Sequence, residues 1–489
     1  NYAFAYNEIA SEPTIGPINI LEIKFDGSFK DVNNEGNISQ PVSNIDLKDH
    51  IFIISSMGNH VIEDIGANPE QPDDNNEEDS NDEDNNKEGL MNPIEPREPI
   101  EGEIAINSAD DFNKIRQSLN GKYILTSDID LSGIDWTPIG NNDSRFTGSF
   151  NGNGYSITGL KINKPTTENV GLFGVIEGAT IENVALEDID ITGGSNTGGL
   201  VGYAYKSSIT NSYATGLITN TGDYTGGLVG SAWNGTIENS YATGSVTGTR
   251  GVGGIVGEAY SSTTITNSYA TGSVTGTWNT GGLVGEAYAS TIENSYAKGE
   301  VTGSVTGKGN TGGLVGKTED ATVTNSYATG SVSGRNLTGG LVGYVHYKNL
   351  GSSITNSYAT GEVSGTERTG GLVGYVYYSS ITNSYATGSV TGSGSSTGGL
   401  VGWASGSSVT NSYATGSVTG AGDAGGLVGE ASGSSVTNSY WDTETTGQSS
   451  SARGGLGKTT KEMKMQDTYE GWDFDEIWQI DEGSYPTLR

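Results

Sequence analysis

A short phrase of glycine and apolar residues recurs through most of this chain and sets its hydrophobic pattern. The phrase is Gly-Gly-Leu-Val-Gly or a close variant, and successive copies lie 27, 28 or 31 residues apart. Its leucine position is occupied by Leu172, Leu200, Leu228, Ile255, Leu283, Leu314, Leu341, Leu372, Leu400 and Leu427. A period of this length predicts stacked repeats, in which each unit contacts only its neighbours.

Alternation within one repeat predicts which side chains face the core. The residue after each Leu-Val-Gly varies freely, whereas the residue after that one stays small or apolar. Because successive side chains of a strand point to opposite faces, we expect Leu200, Gly202 and Ala204 to point inward. Val201 and Tyr203 should then point outward.

The rest of the repeat predicts two more strands, which makes three strands in a coil of about 28 residues. In the second strand, Ile209 and Asn211 lie two residues apart and so on the same side, while the position between them is Thr in some repeats and Glu in others. We therefore expect both to face inward, with each buried Asn hydrogen-bonded to its equivalents in neighbouring coils. Val246 and its equivalents mark the third strand.

The repeated segments resemble a known family. Gly-Gly-Leu-Val-Gly followed by Ile-Thr-Asn-Ser-Tyr-Ala-Thr-Gly is similar to the GLUG-motif repeats of bacterial surface proteins, and the likeness extends over about 104–489. The flanking segments that share it are Tyr123–Gly140, Ser439–Asp442 and Ser484–Arg489. The resemblance implies an all-β fold, a right-handed parallel β-solenoid with capped ends, and secretion. Proteins that share this resemblance include adhesins, haemagglutinin-like proteins and some immunoglobulin-cleaving proteases.

Composition divides the chain into five segments. Residues 1–68 look like a small β-rich unit, because apolar runs alternate with turn signals such as Asp26-Gly27. Residues 69–103 are acidic and contain five prolines, which is linker composition. We assign 104–170 to an N-terminal cap and first coils, 171–440 to the repeats and 441–489 to a C-terminal cap.

Both caps carry helix signals. At the N-terminal end, Ser108 precedes a run with Phe112, Ile115 and Leu119 on one helical face. At the C-terminal end, Thr459 precedes Glu462 by three residues, as in a capping box. An aromatic cluster follows it, with Met463, Tyr469, Trp472, Phe474 and Trp478. We expect both segments to cover the open strand edges of the solenoid.

Charge and composition exclude several classes of function. The formal net charge of −34 disfavours binding to nucleic acid or to anionic membrane surfaces. The chain has no cysteine, so disulfides and thiolate metal sites are excluded. No run reaches the roughly 18 apolar residues of a membrane span, so we expect no membrane insertion.

The sequence offers neither a metalloprotease motif nor a thiol nucleophile. The three histidines, His50, His60 and His346, lie outside the His-Glu-x-x-His motif of metalloproteases, and the chain has no cysteine. Glu258 and Glu286 occupy equivalent positions in adjacent coils, at about the carboxylate separation of a retaining glycosidase. Any two acids at equivalent positions acquire this separation, so we interpret them as solvated surface charge. We predict that the protein is not an enzyme.

Outward aromatic residues form the strongest candidate site. Each of two sets occupies equivalent positions in consecutive coils. The first set is Tyr205, Trp233, Tyr260 and Tyr288, and the second set is Tyr344, Tyr375 and Trp403. One interpretation is a cross-strand ladder that stabilises the sheet. The other is a flat strip that stacks on sugar rings or on a partner protein. The facing of the Asn-Ser-Tyr tyrosines stays open at this point.

The acidic segment offers one candidate metal site. Asp82, Asp84, Asn86 and Glu88 alternate as the oxygen ligands of calcium loops do, although Lys87 stands where such loops need Gly. Two interpretations remain, a spacer or a calcium site. We expect no other cofactor.

Taken together, these features predict a non-enzymatic, extracellular protein of a bacterial cell surface or appendage with a structural or adhesive role. Two alternatives stay open. The chain could be a filament subunit, a homo-polymer assembled through residues 1–68 by strand addition. It could instead be a carbohydrate-binding module that uses the aromatic strip, with a glycan or a host or cell-surface protein as partner.

Overall fold

The computed structural model describes residues 94–304 and 309–489, together with six short strands between Ala3 and Asp64. Contacts divide the chain into two units, Asn1–Asn86 and Lys87–Arg489. The strands of the first unit form three antiparallel pairs: Ala3–Ala5 with Leu21–Ile23, Ser28–Val32 with Ile38–Ser43, and Phe52–Ile53 with Glu63–Asp64. The boundaries predicted at 68 and 103 stay predictions.

The second unit is a parallel β-solenoid of about eleven turns, as the sequence predicted. Each repeat passes through three parallel sheets, which we call faces A, B and C. Face A contains the strands that follow each Gly-Gly-Leu. These are Phe173–Glu177, Val201–Tyr205, Val229–Trp233, Val256–Tyr260, Val284–Tyr288, Val315–Glu319, Val342–His346, Val373–Tyr377, Val401–Ser405 and Val428–Ser432.

Face C contains nine strands, which directly precede face A in each repeat. They are Thr197–Gly198, Asp223–Gly226, Arg250–Gly253, Trp278–Gly281, Asn310–Gly312, Leu337–Gly339, Arg368–Gly370, Ser396–Gly398 and Asp423–Gly425. Hydrogen bonds between successive coils hold every face together, because each coil pairs in register with the next.

Face B is a continuous sheet of 33 strands. It begins with Glu103–Ile106, Lys122–Leu125, Ile129–Asp130, Ser149–Asn151, Ser156–Thr158, Lys161–Asn163, Thr180–Glu182, Ala185–Gly193, Ser208–Thr210 and Tyr213–Asn220. It continues with Thr236–Glu238, Tyr241–Ala242, Ser245–Thr247, Thr264–Thr266, Tyr269–Ala270, Val274–Thr275, Thr291–Glu293, Tyr296–Ala297, Val301–Thr302, Thr322–Thr324, Tyr327–Ala328 and Val332–Ser333. It ends with Ser353–Thr355, Tyr358–Ala359, Val363–Gly365, Ser380–Thr382, Tyr385–Ala386, Val390–Gly392, Ser408–Thr410, Tyr413–Ala414, Val418–Gly420, Ser435–Asp442 and Gly454–Lys458.

A typical coil therefore has five short strands, whereas the sequence predicted three. The coil from Val229 to Gly253 shows the difference, with three separate strands on face B and one each on faces A and C. The prediction was wrong because it missed face C, whose strands contain mainly Thr and Gly. It also missed the corners that divide face B.

The predicted inward asparagines are wrong as well. Asn211 is half-buried, and most of its equivalents are half-buried or exposed; they occupy the corner between strands, in the left-handed region at φ close to +50°. Asn tolerates this conformation better than most residues. The predicted ladder does form in part, since the side-chain amide of Asn211 donates to the side-chain oxygen of Asn183 over 3.3 Å. The polar residue that is fully buried is the next one, Ser212.

The core contains both apolar residues of the repeated phrase. Leu200 and Val201 are each fully buried, so the alternation predicted for Val201 is wrong. The strand begins only after the bend at Leu200, and pairing between coils skips Gly202. At the equivalent Gly257, a Cβ atom would lie 2.5 Å from the backbone nitrogen of Thr225 on face C. This position therefore admits only glycine.

The N-terminal end is covered as predicted. A 3₁₀ turn over Ala109–Asp111 leads into the helix Phe112–Gln117. Phe112 is buried against Trp136, with ring centroids 5.1 Å apart. The predicted helix start at Ser108 is confirmed in position, but the Ser108 side chain makes no capping hydrogen bond. Residues 94–103 belong to this end, because Arg97 forms a bidentate ion pair with Glu103 and its backbone N–H donates to Asn153.

The C-terminal segment contains the short helices Thr443–Thr446 and Thr460–Met463, the 3₁₀ turn Gln466–Thr468, and the antiparallel pair Trp478–Gln479 and Thr487–Leu488. The predicted capping box between Thr459 and Glu462 is confirmed. Trp441 and the strand Gly454–Lys458 cover the end of the last coil. The predicted aromatic cluster lies beside the coils, because Trp478 packs on Tyr385 and Tyr413 of face B.

Candidate functional site

Face A brings both predicted aromatic sets to one surface. Tyr205, Trp233, Tyr260 and Tyr288 pair with one another in register, and the same column continues through Glu319, His346 and Tyr377. We call this the outer column.

Tyr344, Tyr375 and Trp403 pair in register two residues earlier along the strands. Their column, the inner column, starts at Tyr203 and continues through Ser231, Glu258, Glu286 and Lys317. The two columns together form what we call the strip.

Ring contacts along the strip are partial. Trp233 stacks on Tyr260 with centroids 4.6 Å apart, whereas Tyr260 and Tyr288 are tilted at 5.7 Å. Trp233 and Tyr260 keep 36% and 38% of their surface exposed, and the other predicted members are half-buried. The rings therefore contribute to cross-strand packing and are still partly exposed to solvent.

The second aromatic set is flanked by a cation from face C. Tyr344 and Tyr375 stack with centroids 5.2 Å apart and planes within 5°. The Arg368 guanidinium lies 3.9 Å from the ring centroid of Trp403 and 5.0 Å from that of Tyr375. A cation over an aromatic face stabilises the ring and fixes its orientation. Stacking and the cation therefore hold the rings of this half of the strip in place.

Between the two aromatic sets lies a buried acidic centre, which the sequence misassigned as solvated charge. Glu286 is fully buried and accepts two hydrogen bonds from Arg250, at 3.0 and 3.2 Å. Asn279 donates to the same carboxylate over 2.6 Å and Tyr288 over 2.5 Å. Burial and the Glu286 charge raise the pKa of Tyr288. The carboxylate is thus satisfied within the protein and has no surface at which a substrate could bind.

Glu258, one coil earlier, has a different environment. It is 8% exposed and accepts a hydrogen bond from Ser231 over 3.1 Å. Burial raises the pKa of its carboxyl, and the nearby Glu286 charge raises it further, against hydrogen bonds from Ser231, Tyr224 and Trp233. The sequence interpretation failed here because strands of face C, with Arg250, screen this part of the inner column from solvent.

At the next coils the strip becomes charged. Glu319 in the outer column accepts from Lys317 at 2.8 Å and lies 3.2 Å from Lys348. Burial lowers the pKa of His346, although Glu319, 3.5 Å away, opposes that shift. Lys317 also lies 4.9 Å from the ring centroid of Tyr288. This ion-pair cluster joins the two aromatic sets.

Face B carries a second aromatic array, whose facing the sequence left open. The Asn-Ser-Tyr tyrosines stack from coil to coil with centroids 4.7 to 5.0 Å apart and planes within 9°. We call them the tyrosine ladder: Tyr213, Tyr241, Tyr269, Tyr296, Tyr327, Tyr358, Tyr385 and Tyr413. The C-terminal segment covers its last members, because the hydroxyl of Tyr413 donates to the carbonyl of Pro486 over 2.6 Å.

The structure adds residues that the sequence reasoning missed. Arg250, Arg368, Tyr224 and Asn279 all belong to face C and contact the inner column. A comparison of the variable residue two or three positions before each Gly-Gly would have found them. Because face C was not predicted, these positions were not compared between repeats.

The calcium candidates Asp82, Asp84, Asn86 and Glu88 lie outside the described residues, so this site stays a prediction. Within 94–304 and 309–489, no group of three acidic or histidine side chains could hold a metal ion. In the same residues, no helix is long and apolar enough to cross a membrane.

The strand topology defines a parallel β-solenoid built from sequence repeats. Its repeats carry the GLUG motif, as the sequence resemblance predicted. The motif matches eight successive segments: 193–221, 221–247, 248–275, 276–302, 307–333, 334–364, 365–391 and 393–419.

Two curated relatives share part of the chain. Halomucin of Haloquadratum walsbyi is 37% identical over 140 residues, which cover 25% of this chain and 2% of halomucin. A protein of Evansella cellulosilytica, described by its name as a Gly-rich membrane protein, is 41% identical over 101 residues. That match covers 19% of this chain and 12% of the relative. The chain thus spans only a small part of the length of these relatives.

Among solved structures, an IgA1 protease is similar at a TM-score of 0.27 and 18% identity. The match covers 78% of this chain and 25% of that protein.

Proposed function

We propose that this protein is a non-enzymatic, extracellular bacterial surface protein in which the solenoid is a structural rod and the strip is its adhesive surface. The observation that carries the proposal is the strip itself, a run of partly exposed aromatic residues over consecutive coils of one face. Large exposed apolar patches are uncommon on soluble proteins and often mark interaction sites. The name of one relative, a Gly-rich membrane protein, supports a place at the cell envelope.

The absence of enzymatic activity is supported by the acidic centre. Glu286 is fully buried and Glu258 is 8% exposed, and both form hydrogen bonds to neighbouring side chains. A general acid or a nucleophile must reach its substrate, typically within hydrogen-bond distance. These two carboxyl groups stabilise the junction of faces A and C instead.

A more specific version of the proposal is that the strip binds carbohydrate. Trp233 and Tyr260 present adjacent, nearly parallel rings, inclined by 21°, and the face C cation Arg368 braces the other aromatic set. Aromatic rings that are held in place and partly exposed, as Trp233 and Tyr260 are, can contact the apolar faces of sugar rings. The binding surface would consist of Tyr205, Trp233, Tyr260, Tyr288, Tyr344, Tyr375 and Trp403.

A glycan array tests this version directly. The full chain should bind a subset of glycans, and changing Tyr205, Trp233, Tyr260 and Tyr288 together to Ala should abolish that binding. A matched control changes Tyr213, Tyr241, Tyr269 and Tyr296 of the tyrosine ladder to Ala, which removes four aromatic rings from face B and should leave binding intact. Unaltered binding by the strip variant would reject the strip.

A second candidate function is assembly into a filament through residues 1–68. It is supported by the short antiparallel strand pairs of the first unit, because a pair of strands can be extended by a strand from another copy. Electron microscopy of the purified full chain, with and without calcium, tests both assembly and the calcium site. A chain that stays strictly monomeric under both conditions contradicts assembly. A response to calcium that survives changing Asp82 and Asp84 to Asn contradicts the calcium site.

A further inference from the structure

The corner between faces A and B contains an open groove over the last four coils. Its volume is about 650 Å³. Its floor is a row of serines that pair in register on face B, namely Ser353, Ser380, Ser408 and Ser435. The central coils have threonine in this column, at Thr236, Thr264, Thr291 and Thr322. The groove therefore coincides with a change of residue type along the rod.

The groove exists because the corner residues of its last two coils are glycines. Gly406 and Gly433 occupy the corner in the left-handed region, at φ of +59° and +64°. The preceding coil has Tyr378 there, and its ring lies over Gly406, where a Cβ atom would be 2.7 Å from Cε1 of the ring. Tyr378 is 54% exposed and packs edge to face on Tyr377 with centroids 4.6 Å apart. It forms a fixed aromatic wall.

The opposite end of the groove is a loop held in place by one carboxylate. Asp320 accepts backbone hydrogen bonds from Lys348, Asn349, Leu350 and Gly351, at 2.9 to 3.1 Å. This loop is the insertion that lengthens its coil to 31 residues. It places Leu350, which is 84% exposed, at the rim of the groove. The backbone hydrogen bonds from the loop to Asp320 fix the position of this exposed apolar side chain, which suits contact with a ligand.

We propose that this groove binds a neutral oligosaccharide. The described residues that line it include no charged side chain, so nothing there compensates a charged ligand. Serine hydroxyls both donate and accept hydrogen bonds, which matches the hydroxyl groups of a sugar. The volume lies within the usual range of small-molecule sites.

The floor spans three coil rises, about 14 Å, which suits a few sugar rings in line. Tyr378 provides an aromatic face at one side. The groove adjoins the outer column where Tyr378 packs on Tyr377, but none of the described residues that line it belongs to the strip. The proposal therefore does not require the strip to bind anything.

Calorimetry on the full chain tests the proposal with defined probes. The neutral trisaccharides maltotriose, cellotriose and chitotriose are compared with trigalacturonic acid, which carries charge. At least one neutral trisaccharide should bind, and it should bind at least tenfold more tightly than the charged one. Tyr378→Ala and Ser408→Leu should each lower the affinity tenfold or more. Thr236→Leu, in the same column outside the groove, should leave it unchanged.

Several outcomes would contradict the proposal that the groove binds sugar. They are no binding of any neutral trisaccharide, equal or tighter binding of the charged one, or equal losses from Ser408→Leu and Thr236→Leu. If Ser408→Leu does not fold, Ser408→Thr replaces it, because threonine is native to this column in the central coils. An unchanged affinity in that variant also contradicts the groove. Loss of binding in Trp233→Ala with full binding in Ser408→Leu would reject the groove and leave the strip standing.

Discussion

At the residue scale, the Asn-Ser pair of each repeat makes the corner of face B. The serine hydroxyl donates to the carbonyl two residues earlier and accepts the backbone N–H of the preceding coil's serine, as Ser240 does for Ser212 over 3.2 Å. Repetition of Asn-Ser-Tyr indicated a polar ladder. Alternation along a continuous strand would place the buried ladder at Asn211. The left-handed corner at Asn211 instead shifts the buried position to Ser212.

The serine ladder is necessary for stability. Ser240→Ala should destabilise the protein by about 1–3 kcal/mol, because the buried N–H of Ser212 loses its acceptor. Ser245→Ala is the control, since the Ser245 hydroxyl meets that of Ser273 over 3.0 Å at an exposed position. Urea unfolding measures both variants, and equal stability of the two would contradict the ladder's role.

Glu258 should make stability depend on pH. Its pKa is raised in the folded state, chiefly by burial, so its contribution is full below its unfolded pKa and is lost as pH rises through the folded value. Glu258→Gln should therefore stabilise the protein relative to wild type increasingly from pH 4 to pH 8. Glu430→Gln, a half-buried member of the same column, is the control. A stability difference for Glu258→Gln that stays constant with pH would refute this account.

At the element scale, alternation along one strand predicted which positions form the strip. The freely varying position after Leu-Val-Gly and the position two residues later do form two columns on face A, but the inner column is buried at Ser231, Glu258 and Glu286. Sequence could not predict what flanks them, because the strands of face C are short and carry mainly Thr and Gly. Arg250 and Arg368 lie on these strands and contact Glu286 and the Trp403 ring, respectively.

The tyrosine ladder should make face B sensitive to alkali. Burial first, then neighbouring tyrosines, raise the pKa of Tyr241 and of Tyr358 to about 12. Since the ordinary value is near 10, their contribution to stability is full below about pH 10 and is lost as pH rises towards 12. Ultraviolet titration should show these tyrosines ionising late, together with loss of β structure by circular dichroism. Ionisation of all tyrosines near pH 10 with the fold intact would contradict this.

At the scale of the whole molecule, the second unit is closed at both ends and buttressed along one side. Phe112 closes the first coils, Trp441 closes the last, and Trp478 packs on the tyrosine ladder. The sequence predicted the cap segments from their helix signals and aromatic residues. Their lateral position depends on contacts distant in sequence, such as Tyr413 with Pro486, which no local pattern encodes.

The C-terminal segment should be a major source of stability. Trp478→Ala should destabilise the chain by about 3–5 kcal/mol, because the fully buried ring leaves a cavity against Tyr385 and Tyr413. Trp278→Ala, which removes a ring that is 46% exposed on face C, should cost far less. Thermal unfolding compares the two, and similar losses would show that the segment does not buttress the ladder.

The most direct test of the proposed function is one affinity comparison on the full chain. The tightest glycan from the array is titrated against wild type, against Trp233→Ala with Tyr260→Ala, and against Tyr241→Ala with Tyr269→Ala. We predict at least a tenfold loss of affinity for the face A pair and no change for the face B pair, because Trp233 and Tyr260 are exposed whereas Tyr241 and Tyr269 are half-buried in the tyrosine ladder. Equal affinities of all three proteins would contradict the strip as the adhesive surface.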